Sequence, residues 1–159
     1  MSIWKYELEP GEITRLYMTD NMIGLLGIVC TEIGPDYIKA TMPVDDRTKQ
    51  SAGLLHGGAN VTLAESIGSL AANFCVDQST HYAVGLEINA NHIRAKHQGE
   101  VTGTARPIHL GRMTQIWEIK ICDEQDQLLC IVRHTVAVLP KSEADKMHFK
   151  WALKSKIKN

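Results

Sequence analysis

The stretch Gly57-Gly58-Ala59-Asn60-Val61-Thr62-Leu63-Ala64-Glu65-Ser66-Ile67-Gly68-Ser69-Leu70-Ala71-Ala72-Asn73-Phe74-Cys75-Val76 reads as one long helix. Leu63, Ile67, Leu70 and Phe74 recur at the spacing of one helical face and form an apolar stripe. The opposite side carries Glu65, Gly68, Ser69 and Ala72, all small apart from the glutamate. Between His56 and Val76, Glu65 is the sole charge, whereas a surface helix of this length normally carries several. The sequence therefore predicts a helix enclosed on most sides.

Working outward, the flanks read as strands. Residues 84–94 alternate Leu86, Ile88 and Ala90 with Glu87, Asn89 and Asn91, and 100–106 alternate Val101, Gly103 and Ala105 with Thr102 and Thr104. Residues 115–121 put Trp117, Ile119 and Ile121 on one face, and 127–139 form a long, largely apolar strand. His109-Leu110-Gly111-Arg112 and Asp123-Glu124-Gln125-Asp126 read as connecting turns. Upstream, 27–33 and 37–42 read as strands around the turn Gly34-Pro35-Asp36, and Pro10-Gly11-Glu12 opens a short helix. Successive strands joined by turns of a few residues predict an antiparallel sheet. With one enclosed helix, the expected architecture is α+β, a long antiparallel sheet wrapped around that helix.

A chain of 159 residues, 44% hydrophobic and 22% charged, suits one buried core rather than two domains. A net charge of −1 gives no electrostatic reason to expect nucleic acid as a partner. No apolar run is long enough to span a bilayer, and the N-terminus has no stretch of signal-peptide length. Cys30, Cys75, Cys122 and Cys130 form no Cys-x-x-Cys pair and read as buried thiols, so the expected compartment is the cytoplasm. Residues 141–159 hold six lysines against Glu143 and Asp145, a basic tail on an acidic body; the expected organisation is a domain over 1–140 and a tail over 141–159.

Two features point to chemistry. Gly57 and Gly58 stand where the helix begins, and backbone N–H groups there lack intrahelical partners and face the positive end of the dipole. Such a terminus can stabilise an oxyanion developing on a carbonyl; the alternative is a tight entry turn and nothing more. Glu65 is a nucleophile or general base at a pocket floor, or else the partner of an arginine from the sheet. Eight residues of helix separate Gly57 from Glu65 by about 12 Å. That is too far for both to reach one carbonyl from the same helix, so joint action predicts at least a dimer. Gln50 and His56 flank the glycines and can hydrogen-bond near the same carbonyl. His92 and Arg94 at a strand end, and His109 to Arg112 in a turn, suit a phosphate-bearing ligand or are solvated strand ends. His81, His97, His134 and His148 show no special context.

These residues resemble the hotdog-fold thioesterases, in the 4-hydroxybenzoyl-CoA thioesterase branch that carries Glu on the central helix. The likeness rests on Ala40-Thr41-Met42-Pro43-Val44-Asp45, Arg47-Thr48-Lys49-Gln50, Leu54-Leu55-His56-Gly57-Gly58-Ala59, Leu63-Ala64-Glu65-Ser66-Ile67-Gly68-Ser69, residues 84–92 and His109-Leu110-Gly111. The resemblance implies hydrolysis of an acyl-CoA, with an aromatic acyl group such as hydroxybenzoyl or dihydroxynaphthoyl. Coenzyme A would be part of the substrate, and no metal or other cofactor is implied. Glu65 would be the catalytic carboxylate and the Gly57 N–H would polarise the thioester carbonyl. Gln50 and His56 would orient substrate, water or leaving thiolate, with Ser69 assisting beside Glu65. Gly85, the segment His92, Ile93, Arg94 and Ala95, and the segment His109, Leu110, Gly111 and Arg112 would hold the CoA portion. The resemblance also implies a homodimer with side-by-side central helices, paired again into a tetramer.

The chain departs from the branch in two places. Residues 142–159 are extra, and Phe149, Leu153 and Ile157 are spaced for an amphipathic basic helix or belong to a solvated tail. Arg112 stands where the branch also has a small residue. A catalytically silent acyl-CoA-binding module is the rival from another class. A hotdog hydratase would need an Asp and His pair that the sequence does not offer.

Overall fold

The structure, a computed structural model, describes residues 2–142; the expected amphipathic segment at Phe149 to Ile157 lies outside the described residues. The described residues form three helices, α1 (Pro10–Tyr17), α2 (Met22–Leu25) and α3 (Gly57–Phe74), and six strands. The strands are β1 (Val29–Ile33), β2 (Ile38–Pro43), β3 (His81–His92), β4 (Glu100–Leu110), β5 (Thr114–Cys122) and β6 (Leu128–Pro140). All pairings are antiparallel, in the order β1-β2-β4-β5-β6-β3. The sheet curls around α3, which touches β2, β3, β4, β5 and β6. This is the expected hotdog arrangement.

Alternation explains the packing. Ile38, Ala40 and Met42 of β2, Val101 and Ala105 of β4, Trp117, Ile119 and Ile121 of β5, and Cys130, Val132 and Val136 of β6 are buried against the stripe of Leu63, Ile67, Leu70 and Phe74. Trp4 stacks on Trp117 with ring centroids 6.3 Å apart, and the Lys5 N–H donates to Phe74 O at 2.9 Å, which closes the core at the end of α3. Leu63 is fully buried at the centre of this contact. Leu63→Ala is therefore expected to destabilise the fold by about 2–5 kcal/mol, read as a lowered urea midpoint at unchanged slope. A loss below about 1 kcal/mol would contradict this packing.

Three local features shape the surroundings of α3. The Asn73 amide clasps β3 at two points: its Oδ1 accepts the Ala83 N–H at 2.9 Å and its Nδ2 donates to Ala83 O at 3.0 Å. This fixes α3 against the edge strand. In β3 the register shifts between Gly85 and Glu87, so Leu86 is an extra residue in a bulge and stands 63% exposed. The expected continuous face of Leu86, Ile88 and Ala90 is corrected accordingly; Gly85, Ile88 and Ala90 face the helix instead. Likewise, the expected turn over His109 to Arg112 is shorter, because β4 continues through His109 and Leu110 after a bulge at Ile108.

All four cysteines are free; Cys30 and Cys130 are buried and Cys75 and Cys122 half-buried. Burial pushes the thiols of Cys30 and Cys130 up to about 11 and that of Cys75 up to about 12. Such thiols stay protonated and unreactive near neutrality.

Candidate active site

The helix entrance is built by His56. Its backbone is extended (φ −71°, ψ 133°), and its ring folds back so that Nδ1 accepts the Gly58 N–H at 2.8 Å. The His56 carbonyl accepts from Ala59 N–H at 3.0 Å and Asn60 N–H at 3.3 Å. Three of the helix's opening amides are thus satisfied, while the Gly57 N–H meets no acceptor among the described residues. Because Nδ1 accepts, the proton of a neutral His56 ring sits on Nε2. The His92 ring lies over Gly57: a side chain at position 57 would place its Cβ 2.8 Å from His92 Nε2. Gln50 is exposed in the preceding loop, whose shape is set by Gln50 N–H donating to Leu54 O at 2.8 Å and His56 N–H donating to Thr48 O at 2.8 Å. Buried Thr48 in turn donates through Oγ1 to Pro43 O at 2.7 Å.

A second group forms two turns along α3. Glu65 projects from the exposed strip of the helix and joins no ion pair among the described residues, so pairing with an arginine is not its role within one chain. The carboxylate is exposed on the single chain, contrary to the burial its uncharged helix led one to expect. Ser69, one turn on, stands 3.1 Å from Nε2 of His134. Gly85 lies under His134 and Glu65: a Cβ there would be 2.9 Å from His134 Cε1 and 3.5 Å from Glu65 Oε1. Gly85 therefore belongs beside Glu65 and the His134 ring that Ser69 meets.

His134 shows no special context in the sequence, and the structure corrects this. The ring is 1% exposed, on the inward face of β6 with Cys130, Val132 and Val136. A polar residue in that apolar i+2 series was the available signal. Burial holds the imidazole below its usual range, opposed by a bond to the Glu87 carbonyl and by the charges of Glu65 and Glu87.

The residues expected to hold CoA are not gathered within one chain. Gly85 aligns through Val136 and Gln115 with Leu110, so the β4–β5 connection lies at that end of the sheet. His92 to Ala95 lie at the other end of β3, where Ile93 N–H donates to Leu129 O at 2.7 Å and the Arg94 guanidinium donates to Leu128 O at 2.6 Å. His92 joins the Gln50, His56 and Gly57 group, and Gly85 the Glu65 and Ser69 group. His109, Leu110, Gly111 and Arg112 form a third, with His109 folded over Gly111.

An amide at a helix start and a carboxylate further along, neither partnered among the described residues, are the equipment of acyl transfer to water. Known proteins agree. A family model described as the thioesterase superfamily matches residues 52–130. The chain is 50% identical over 137 residues to 1,4-dihydroxy-2-naphthoyl-CoA hydrolase from Escherichia coli, covering 86% of this chain and 99% of that one. It is 46% identical over 137 residues to the proofreading thioesterase EntH from Cronobacter sakazakii, covering 86% and 98%. The crystal structure of thioesterase HI1161 from Haemophilus influenzae superposes with a TM-score of 0.84 at 44% identity, covering 87% of this chain and 95% of that one. The chain belongs to the thioesterase superfamily. It is a hotdog-fold thioester hydrolase.

Proposed function

We propose that the substrate is an acyl-CoA with an aromatic acyl group, such as 1,4-dihydroxy-2-naphthoyl-CoA or a hydroxybenzoyl-CoA, cleaved to the free acid and coenzyme A. The observation that carries the cleavage is the pair on α3: a Gly57 N–H without an acceptor and a Glu65 carboxylate without a cation among the described residues, about 12 Å apart along one helix. The aromatic acyl group is supported by the likeness to 1,4-dihydroxy-2-naphthoyl-CoA hydrolase. One carbonyl reaches both only if the Gly57 of one subunit faces the Glu65 of another. β3 supports such an assembly, since this 12-residue strand closes one edge of the sheet and can pair with its equivalent about a two-fold axis. The dimer would pair again into a tetramer.

In this reading the Gly57 amide polarises the thioester carbonyl, and Glu65 either attacks the acyl carbon or takes a proton from the attacking water. By the general-base route the water oxygen bonds the acyl carbon, the C–S bond breaks, and the water proton taken by Glu65 passes to the departing thiolate. By the nucleophilic route Glu65 bonds the acyl carbon as the thiolate leaves, and water then cleaves the anhydride, restoring the carboxylate and giving its proton to the thiolate. Nothing in that balance calls for a metal or redox cofactor. Gln50 and His56 orient substrate, water or thiolate, and Ser69 acts beside Glu65. Gly85, His92 to Ala95 and His109 to Arg112 line the CoA path across subunits, which accounts for their separation in one chain. Residues 1–140 are the catalytic domain, 141–159 are a basic appendage, and the compartment is the cytoplasm. No helix among the described residues is long and apolar enough to cross a membrane.

The test is thiol release from a panel of benzoyl-, naphthoyl- and straight-chain acyl-CoA thioesters. Aromatic substrates are expected to lead in kcat/KM by about tenfold or more. Preference for straight chains would overturn the substrate assignment, and no release from any thioester would leave a binding module.

A further inference from the structure

His134 occupies a slot that two missing side chains create. On one side a Cβ at Gly68 of α3 would stand 3.1 Å from its Cδ2, and on the other a Cβ at Gly85 of β3 would stand 2.9 Å from its Cε1. Both ends of the ring are held: Nδ1 is 3.3 Å from Glu87 O, and Nε2 is 3.1 Å from Ser69 Oγ. A carbonyl oxygen only accepts, so Nδ1 carries the hydrogen. In the neutral ring Nε2 is then a bare acceptor, and the Ser69 hydroxyl must donate to it.

The other hydroxyls of α3 show what this changes. Thr62 donates to Gly58 O at 2.9 Å and Ser66 donates to Thr62 O at 2.6 Å, each satisfied by the carbonyl one turn back. Ser69 instead reaches across to β6. With its hydrogen committed to His134, Ser69 Oγ presents lone pairs next to Glu65, its i−4 neighbour on the same face. A water between the two would give one hydrogen to the carboxylate and the other to Ser69, leaving its own lone pair for a carbonyl carbon.

We infer that His134 is a positioning residue: it fixes the Ser69 hydroxyl as an acceptor that holds the attacking water beside Glu65. This rests on the general-base role of the two proposed for Glu65. The charged groups facing the ring are Glu65 from α3 and Glu87 from β3, while its β5 neighbours Trp117 and Ile119 carry none. Neither carboxylate hydrogen-bonds the ring, so the bonds to Glu87 O and Ser69 Oγ define its orientation.

Five variants test the inference in the full-length protein, with the aromatic acyl-CoA turned over fastest. His134→Leu removes the acceptor and is expected to lower kcat about tenfold while KM changes little. His134→Gln can place an amide oxygen near Nε2 and is expected to recover most of that loss. His134→Asn mimics only the Nδ1 side and should resemble the Leu variant. Because His134 acts through Ser69, the double variant Ser69→Ala, His134→Leu should be no slower than Ser69→Ala alone. Wild-type kcat in His134→Leu, or losses that multiply in the double variant, would overturn the inference. If the Leu variants do not fold, equal kcat in the Gln and Asn variants overturns it just as well. Inactivity of the wild type, or full activity without Glu65, would instead remove the hydrolytic reading beneath it.

Discussion

Glu65→Gln will hydrolyse thioesters more slowly than the wild type by about 10²–10⁴-fold or more, with KM close to its original value and the fold unchanged. The amide keeps the size of the carboxylate but neither attacks an acyl carbon nor takes a proton from water. Loss of a general base alone removes about 10²–10⁴ in rate, and loss of a nucleophile removes the whole covalent route. Stability should be indifferent. Glu65 is exposed on the chain and bonded to no cation among the described residues, so its removal strands no buried charge. Glu65→Asp separates placement from charge: it keeps the carboxylate but withdraws it by one methylene, and a displacement of about 1 Å is expected to cost on the order of a hundredfold. The measurements are steady-state thiol release and a thermal melt on the same preparations. More than a tenth of wild-type kcat in both Glu65→Gln and Glu65→Ala would end the proposal.

How much of this site is legible in the sequence depends on the range of the forces involved. α3 is legible because its stripe and its single charge are both encoded locally, at helical spacing. The start at Gly57 is legible for the same reason, although the cap is His56 itself, through Nδ1. The bulge at Leu86 is not, since Ile88 and Ala90 keep their alternation after it and an extra exposed leucine looks like one more inward residue. The short turn after β4 is hidden similarly: His109 and Leu110 have turn-like neighbours, yet β5 supplies strand partners that hold them in the sheet. His134 depends on three separate segments meeting. Only when α3 brings Gly68 and Ser69, and β3 brings Gly85 and the Glu87 carbonyl, does a histidine on β6 acquire partners. The separation of the CoA-binding candidates has the same origin, because the distance between strand ends is set by pairing order, not by sequence.

Gly57→Pro is expected to lower kcat by about 10²–10³, the usual loss when one oxyanion donor is removed. Proline suits this position structurally. Gly57 is the first residue of α3, where a proline ring has the right φ, and His56 before it is already extended (ψ 133°), as a residue preceding proline prefers. The substitution thus deletes the one opening amide that lacks an acceptor among the described residues and leaves the helix hydrogen bonds in place. Its side cost is a Cβ close to His92 Nε2, the tip of an exposed side chain that can swing aside. Gly57→Ala carries the same Cβ but keeps the N–H, so the ratio of the two variants isolates the amide. Equal kcat for Ala and Pro would show that the N–H polarises nothing. The pair also tests the assembly. Co-expression of Gly57→Pro with Glu65→Gln forms hybrid dimers in which one site combines the intact Gly57 of one subunit with the intact Glu65 of the other. Random pairing then restores about a quarter of wild-type activity from two nearly inactive parents. A site contained in a single chain would restore none, because every chain in the mixture lacks one of the two groups.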